Sequence, residues 1–338
     1  MTQQKLIDII IPAYNSSKTI VKTLSSIVMQ SIVDKCKITI VNDGGEEYYN
    51  IIEKFDLFID IEEIDSLYNE GAGAARQTGI YNTNCPYITF IDADDTYESA
   101  VALEMMLKEM NKYDRCIMIS AGFLEQAYLP ELELFIHDRD PVTVFCKIYK
   151  RNFIEKLDIK FSDTRTNEDA GFNTLLQLCR SNDCEEEVLY LDKYLGLRSF
   201  NEESITRKNG FENAYKDNLP DYVESMIFAI RGAEERNPFN SKINDLKIEL
   251  LVELYYLYNR VISINDKYKK ENIYACVKYY NEIFKNYEKI LPKNYLDLQI
   301  EKYAAEKIQM LHGILPELTL LQFIEAIRSA QYESRKVN

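Results

Sequence analysis

From Leu6 onward the chain alternates between two textures. Short apolar runs, "LIDIIIPAY", "KITIVND" (37–43), a weaker one at 58–64 and "YITFI" (87–91), are separated by stretches whose apolar residues recur at helical spacing. The clearest of these is "SSKTIVKTLSSIVMQ", where Ile20, Val21, Leu24, Ile27 and Val28 share one face; further helices are expected over 46–55, 71–82 and 98–112. Strands this uniformly apolar are buried on both faces. The pattern therefore predicts an α/β fold, a Rossmann-like sheet with helices on both faces and ligand sites at the strands' carboxyl ends.

After residue 112 the strand-like runs "RCIMISAGF", "VTVFCKIYK" and "VLYLDKYLGLRSF" are less regularly spaced, which predicts that the sheet becomes mixed. Between them "TRTNEDAGFNTLLQLCR" turns from polar loop to helix, with Thr166 or Asn167 as the expected cap and Glu168 and Asp169 in the first turn. Beyond about residue 215 only helical spacing remains. Leu246, Leu250, Leu254, Leu257 and Val261 form one stripe, Tyr-rich helices follow over 271–290 and 298–312, and Thr319 with Gln322 has the spacing of a capping box. The expected division is residues 1–215 as an α/β domain and 216–338 as a C-terminal all-α region for acceptor recognition or self-association.

With 338 residues, 46% of them hydrophobic, the chain has material for two such units. Its 55 acidic against 40 basic residues, a net charge of −15, disfavour duplex nucleic acid as a partner. The apolar run after Leu6 is interrupted by Asp8 and stops at Pro12, so neither a signal peptide nor a membrane span is expected, and the protein is read as cytoplasmic. Seven cysteines without a CxxC pair read as reduced core thiols, and two histidines, His137 and His312, make a zinc site improbable.

The chemistry collects where strands are expected to end. "PAYN" (12–15), "VNDGG" (41–45), "YNEGAGAARQTG" (68–79) and "IDADDTYE" (91–98) would all line one crevice. Tyr14 could cover a base, Asp43 could accept from a base or ribose, and Arg76 could meet a phosphate. The GAGAAR stretch has Arg76 where a dinucleotide fingerprint needs its third glycine, so no NAD site is expected. Asp92, Asp94 and Asp95 are three carboxylates within four residues: either a solvated strand end that caps the next helix, or ligands for a hard cation such as Mg²⁺ or Mn²⁺ that bridges to a diphosphate. Glu168 and Asp169 could be plain helix-start acids. Arg198, Ser204, Thr206 and Arg207 could form an exposed loop or a flap over phosphate or acceptor.

Taken in order, "DIIIPAYNSSKTIVKTLSSIVMQS", "ITIVNDGG", "NEGAGAARQTGI", "YITFIDADDTYE", "KIYKRNFIEKLDIKF", "NEDAGFN" and "LRSFNEESIT" resemble the family 2 glycosyltransferases of the GT-A fold, from residue 7 to about 206. The resemblance implies an enzyme that moves a sugar from a nucleotide-sugar, of the UDP type, to a hydroxyl acceptor. It implies that Asp43 contacts the base, and that Pro12, Tyr14, Asn69 and Arg76 line the nucleotide pocket. Asp92 and Asp94 fall on the family's DxD: Asp94 would bind Mn²⁺ or Mg²⁺ directly, and Asp92 would contact the ribose or the metal shell. Asp169 falls on the family's ED motif as general base, which implies inversion. Asn42 and Gly45 depart from the family's usual residues beside Asp43. Because the chain has no Trp, it lacks the Trp-containing motif of processive members and is read as non-processive. Two rival readings remain, a nucleotidyltransferase acting on a sugar phosphate, for which Lys18 and Lys22 are the only bases near the first strand, and a catalytically idle nucleotide-binding assembly protein.

Overall fold

In the computed structural model, residues 4–128, 131–180, 187–201, 210–263, 284–285, 287–313 and 315–337 are described. The first half is the expected alternation: β1 (Ile7–Ala13), α1 (Ile20–Val28), β2 (Cys36–Asn42), a short α2 (Tyr49–Ile52), β3 (Asp60–Asp65), α3 (Ala72–Asn82) and β4 (Tyr87–Phe90). β1 is wholly buried, as its unbroken apolar run requires, and it pairs in parallel with β2 on one side and β4 on the other. The helix expected over 98–112 starts only at α4 (Ala102–Met110), because Thr96–Tyr97 form a two-residue strand, β5. Its partner is the later strand β9 (Glu187–Arg198), which it meets antiparallel.

The second half of the sheet is mixed. β6 (Cys116–Tyr128), β7 (Leu132–His137), β8 (Lys147–Lys150) and β9 complete nine strands in the order β3-β2-β1-β4-β8-β6-β9-β5, with β7 beside β6. Of the expected strand "VTVFCKIYK" only the last four residues pair. The carbonyls of Val142 and Thr143 go instead to the side-chain amide of Asn173, at 2.7 and 2.9 Å. Asn173 lies in α6 (Glu168–Leu178), which follows α5 (Arg151–Lys156).

A buried ion pair ties the parallel half together. Arg151, at the start of α5, gives Nη2 to Asp8 of β1 at 2.9 Å and to Thr83 Oγ1 at 2.6 Å, Nε to the Cys85 carbonyl and Nη1 to the Ile80 carbonyl. It therefore binds a carbonyl in the last turn of α3 and the loop into β4, where carbonyls lack helical partners. Asp8 is fully buried and Arg151 is 5% exposed. α3 also presses directly on β1, since a Cβ at Gly79 would strike the Ile10 side chain.

Among the described residues the helical region has α7 (Gly210–Arg236), α8 (Lys242–Ser263), α9 (Leu298–His312) and α10 (Leu320–Val337). It is not separately cored. Phe90, Phe172 and Leu175 of the sheet layer share one apolar cluster with Val223, Ile227, Leu254 and Phe323. α7 crosses α6 so closely that a Cβ on Gly171 would collide with Ser225. The capping box forms as the sequence predicts, Thr319 N–H to Gln322 Oε1 at 2.8 Å and Gln322 N–H to Thr319 Oγ1 at 3.2 Å. The five described cysteines are free and buried; Cys184, Cys276 and residues 271–283 of the helix expected over 271–290 lie outside the described residues. No described helix is long and apolar enough to cross a membrane.

Removing one partner of the Asp8–Arg151 pair leaves a buried uncompensated charge. Arg151→Ala is expected to lower unfolding stability by about 3–5 kcal/mol, and Asp8→Leu combined with Arg151→Met to cost less than either single change. Urea unfolding of Arg151→Ala, the two single changes and their combination is the measurement, and additive losses would refute the pairing.

Candidate active site

The carboxyl ends of β1, β2, β3 and β4 open on one side of the sheet. After β1 the chain leaves buried Pro12 and exposes Tyr14, which is 50% accessible. After β2, Asn42 ties the neighbouring loops by donating to Asp65, Glu63 and the Glu46 carbonyl while accepting from Gly45 N–H. Asp43 is buried, and its two oxygens accept the backbone N–H groups of Glu70 and Gly71, each at 2.8 Å. Here Asp43 fixes the rim after β3. That rim carries Asn69, whose Oδ1 is buried with no hydrogen-bond partner among the described residues.

On the other side of the crevice Arg76, in the second turn of α3 and 3% exposed, lies between two carboxylates. Nη2 meets Asp92 Oδ1 and Nη1 meets Glu168 Oε1, both at 2.6 Å. Arg76 thus joins the acidic end of β4 to the acidic start of α6. Both of its terminal nitrogens hold protein carboxylates.

Around this bridge, carboxylates outnumber cations among the described residues. Asp94 Oδ2 accepts from Asn201 Nδ2 at 2.9 Å, and Asp95 Oδ1 from Ser199 N–H at 3.2 Å. Arg198 approaches only to 4.0 Å from Asp95 and 3.8 Å from Glu125. Asp92, Asp94, Asp95, Glu168 and Asp169 therefore share chiefly Arg76 and Arg198. The electrostatic result divides them. Burial pushes Asp92 up, but the Arg76 charge, the Arg76 hydrogen bond and the Arg198 charge together outweigh it and hold the carboxyl below its ordinary value. Asp94 is raised by burial and by Asp92, and Asp95 by burial and by both neighbouring acids. Burial takes Glu168 to about 7 despite Arg76, and raises Asp169 as well.

Asp169 stands in the first turn of α6, where its Oδ1 accepts from Ala170 N–H at 2.8 Å. Asn167 is the N-cap residue, as expected, but it adopts a left-handed conformation (φ 60°) and makes no side-chain cap. Thus Pro12, Tyr14, Asp43, Asn69, Arg76, Asp92, Asp94, Asp169 and Arg198 come to one crevice, whereas Arg207, Ser204 and Thr206 lie outside the described residues. Lys18 and Lys22, the bases that a triphosphate would need, are exposed.

Sequence reasoning missed three participants. Asn201, the partner of Asp94, follows Arg198 in the quoted "LRSFN", but no local pattern marks it. Glu168 reads in sequence as a helix-start acid or as the base in place of Asp169, and nothing local marks its pairing with Arg76. Lys147 is fully buried in β8, where burial lowers its pKa and Asp140 at 3.5 Å opposes that; an isolated Lys in an apolar run, "FCKIYK", is the signal that could have found it.

A parallel nucleotide-type half sheet joined to a mixed half, with acids collected at the joint, defines the class of nucleotide-sugar transferases with the GT-A fold. Residues 8–161 match the family described as Glycosyl transferase family 2. Among curated proteins it is similar to the glycosyltransferase GlyA of Streptococcus pneumoniae, 27% identical over 233 residues, 60% of this chain but 31% of that one. The chain therefore spans about a third of that relative. Among solved structures, S. aureus TarS 1-349 in complex with UDP-GlcNAc superposes with a TM-score of 0.68 at 15% identity, covering 98% of this chain and 92% of that one. A mannosyltransferase from Pyrobaculum calidifontis in complex with GDP-Man and Mn²⁺ gives a TM-score of 0.51 at 12% identity, over 97% and 81%.

The raised acids make a prediction about pH. Asp94, Asp95, Glu168 and Asp169 hold protons more tightly folded than unfolded, so the folded chain binds the excess protons and gains stability as pH falls. For Glu168 that gain develops as pH drops from about 7 toward its ordinary value of 4.5. In metal-free buffer the melting temperature should rise over this window, and Glu168→Gln should flatten the rise. An unchanged slope in that variant would place Glu168 in an ordinary environment.

Proposed function

We propose that the chain transfers one sugar per encounter from a UDP-sugar to a hydroxyl acceptor, with inversion at the anomeric carbon. The observation that carries this reading is the Arg76 bridge, because it fixes the acids of the donor side and the acid proposed as base on one guanidinium. The TarS complex with UDP-GlcNAc supports a UDP-type donor. Tyr14 offers a face for the base. The unpaired Asn69 Oδ1 is an acceptor for a base or ribose donor, on a rim that Asp43 holds in place. Arg198, loosely paired, is free in geometry to turn toward a diphosphate.

The acids fit a divalent cation. Their excess over the neighbouring arginines asks for positive charge, and oxygen donors suit a hard ion. Among the described residues no group of three or more His, Cys, Asp or Glu side chains could hold a metal by itself. That fits an ion held by one or two carboxylates and completed by water and phosphates, as Mg²⁺ and Mn²⁺ often are. Asp94 and Asp92 would hold it, and it would neutralise charge on the departing nucleoside diphosphate. Asp169 has Oδ1 fixed by the Ala170 N–H, which leaves Oδ2 to accept the acceptor hydroxyl's proton. The acceptor oxygen bonds to the anomeric carbon as the carbon–oxygen bond to the diphosphate breaks. Burial makes Asp169 a stronger base than a solvated carboxylate.

Two measurements test this. UDP should raise the melting temperature with Mn²⁺ or Mg²⁺ present and lose most of that effect in chelator; equal shifts would remove the metal from the reading. In a screen of nucleotide-sugars scored by UDP release and transfer, Asp169→Asn should lose about 10²- to 10⁴-fold in transfer rate while donor binding persists, whereas Asp94→Ala should lose metal-dependent nucleotide affinity first. An Asp169→Asn enzyme that transfers at the wild-type rate would place the base elsewhere.

A further inference from the structure

The helical region reaches the reaction centre through two side chains of α7. Asp221 Oδ2 accepts both the backbone N–H of Thr166, at 2.9 Å, and its hydroxyl, at 3.1 Å. One turn later Ser225, fully buried, donates its hydroxyl to the Asn167 carbonyl at 2.8 Å and lies 3.0 Å from Ser162 Oγ. These bonds fall on the two residues that immediately precede Glu168 and Asp169.

They also fall where the backbone needs holding. Asn167 has φ 60°, a left-handed conformation that a residue other than glycine keeps where its surroundings hold it. Its own side chain does not cap α6. The direction in which α6 leaves this turn decides where the Asp169 carboxylate points and whether Glu168 reaches Arg76. α7 lies in contact there, as the Gly171–Ser225 approach shows.

We infer that Asp221 and Ser225 are positioning residues for the transfer reaction: they clamp Thr166 and Asn167 so that α6 presents Asp169 to the acceptor hydroxyl. The helical region is then part of the catalytic apparatus. The inference rests on the reading of Asp169 as base, and its test keeps the two separable.

In Asp221→Ala, the transfer kcat should fall about 10²-fold, the loss typical of a misplaced catalytic group, while donor KM stays as in wild type. Asp221→Asn, which keeps an acceptor oxygen for the Thr166 N–H, should recover much of it. In an Asp169→Asn background, Asp221→Ala should cost nothing further, because its effect passes through the missing carboxylate. Hydrogen exchange needs no acceptor: peptides spanning 162–172 should exchange faster in Asp221→Ala, and those spanning 87–95 should not. Should Asp221→Ala fold poorly, Ser225→Ala carries the same comparisons.

An unchanged kcat in Asp221→Ala, with Asp169→Asn inactive, overturns the positioning role alone. A loss that adds fully to that of Asp169→Asn, or exchange that rises throughout the chain, assigns Asp221 to general stability and overturns it too. If Asp169→Asn transfers normally, the reading of the base falls instead, and exchange at 162–172 decides whether α7 holds this turn.

Discussion

The site is organised by one buried guanidinium held between two carboxylates. Arg76 comes from α3, Asp92 from the end of β4 and Glu168 from the start of α6, elements separated by as many as 92 residues in sequence. Each carboxylate restrains the other through a planar fork with fixed nitrogen positions, which a lysine could not reproduce. The end of β4 and the start of α6 are therefore aligned across α3. An arginine out of water is tolerated because both terminal nitrogens are charge-paired.

That arrangement has an electrostatic consequence. One guanidinium cannot satisfy all the acids gathered around it, so Asp92, the best-paired, stays ionised while Asp94, Asp95, Glu168 and Asp169 are pushed upward by burial. Among the described residues the crevice thus carries more carboxylate than guanidinium, and its raised acids hold their protons more tightly than solvated ones. The second arginine, Arg198, at 4.0 Å from Asp95 and 3.8 Å from Glu125, relieves this excess only in part.

Rigidity behind the crevice comes from elsewhere. Arg151 and Asp8 lock the end of α3 and the start of β4 to β1, so the helix that carries Arg76 and the strand that ends in Asp92 move as one body. On the far side α7 packs along α6 with a glycine at the crossing, and the helical region continues the core of the sheet layer. The start of α6 is consequently held from two directions.

The amino-acid sequence by itself determined the local elements: the apolar runs of β1 and β2, the stripe of α1, the capping box at Thr319 and the acids after β4 follow from periodicities of two and 3.6 and from short-range chemistry. It also placed most crevice residues at strand ends, since a parallel sheet leaves them no other exit. What it left open were the pairings. That Arg76 takes Asp92 and Glu168, that "VTVF" gives its carbonyls to Asn173 instead of to a strand, and that Thr96–Tyr97 pair with β9 are contacts between segments far apart in the chain. Such contacts leave no local pattern, because each partner reads alone as an ordinary polar or turn residue. The same holds for Asp221, which in sequence is one acid on a helix. Only the close crossing of α6 and α7 puts it under the backbone of Thr166, since hydrogen bonds of about 3 Å are decided by packing and not by composition.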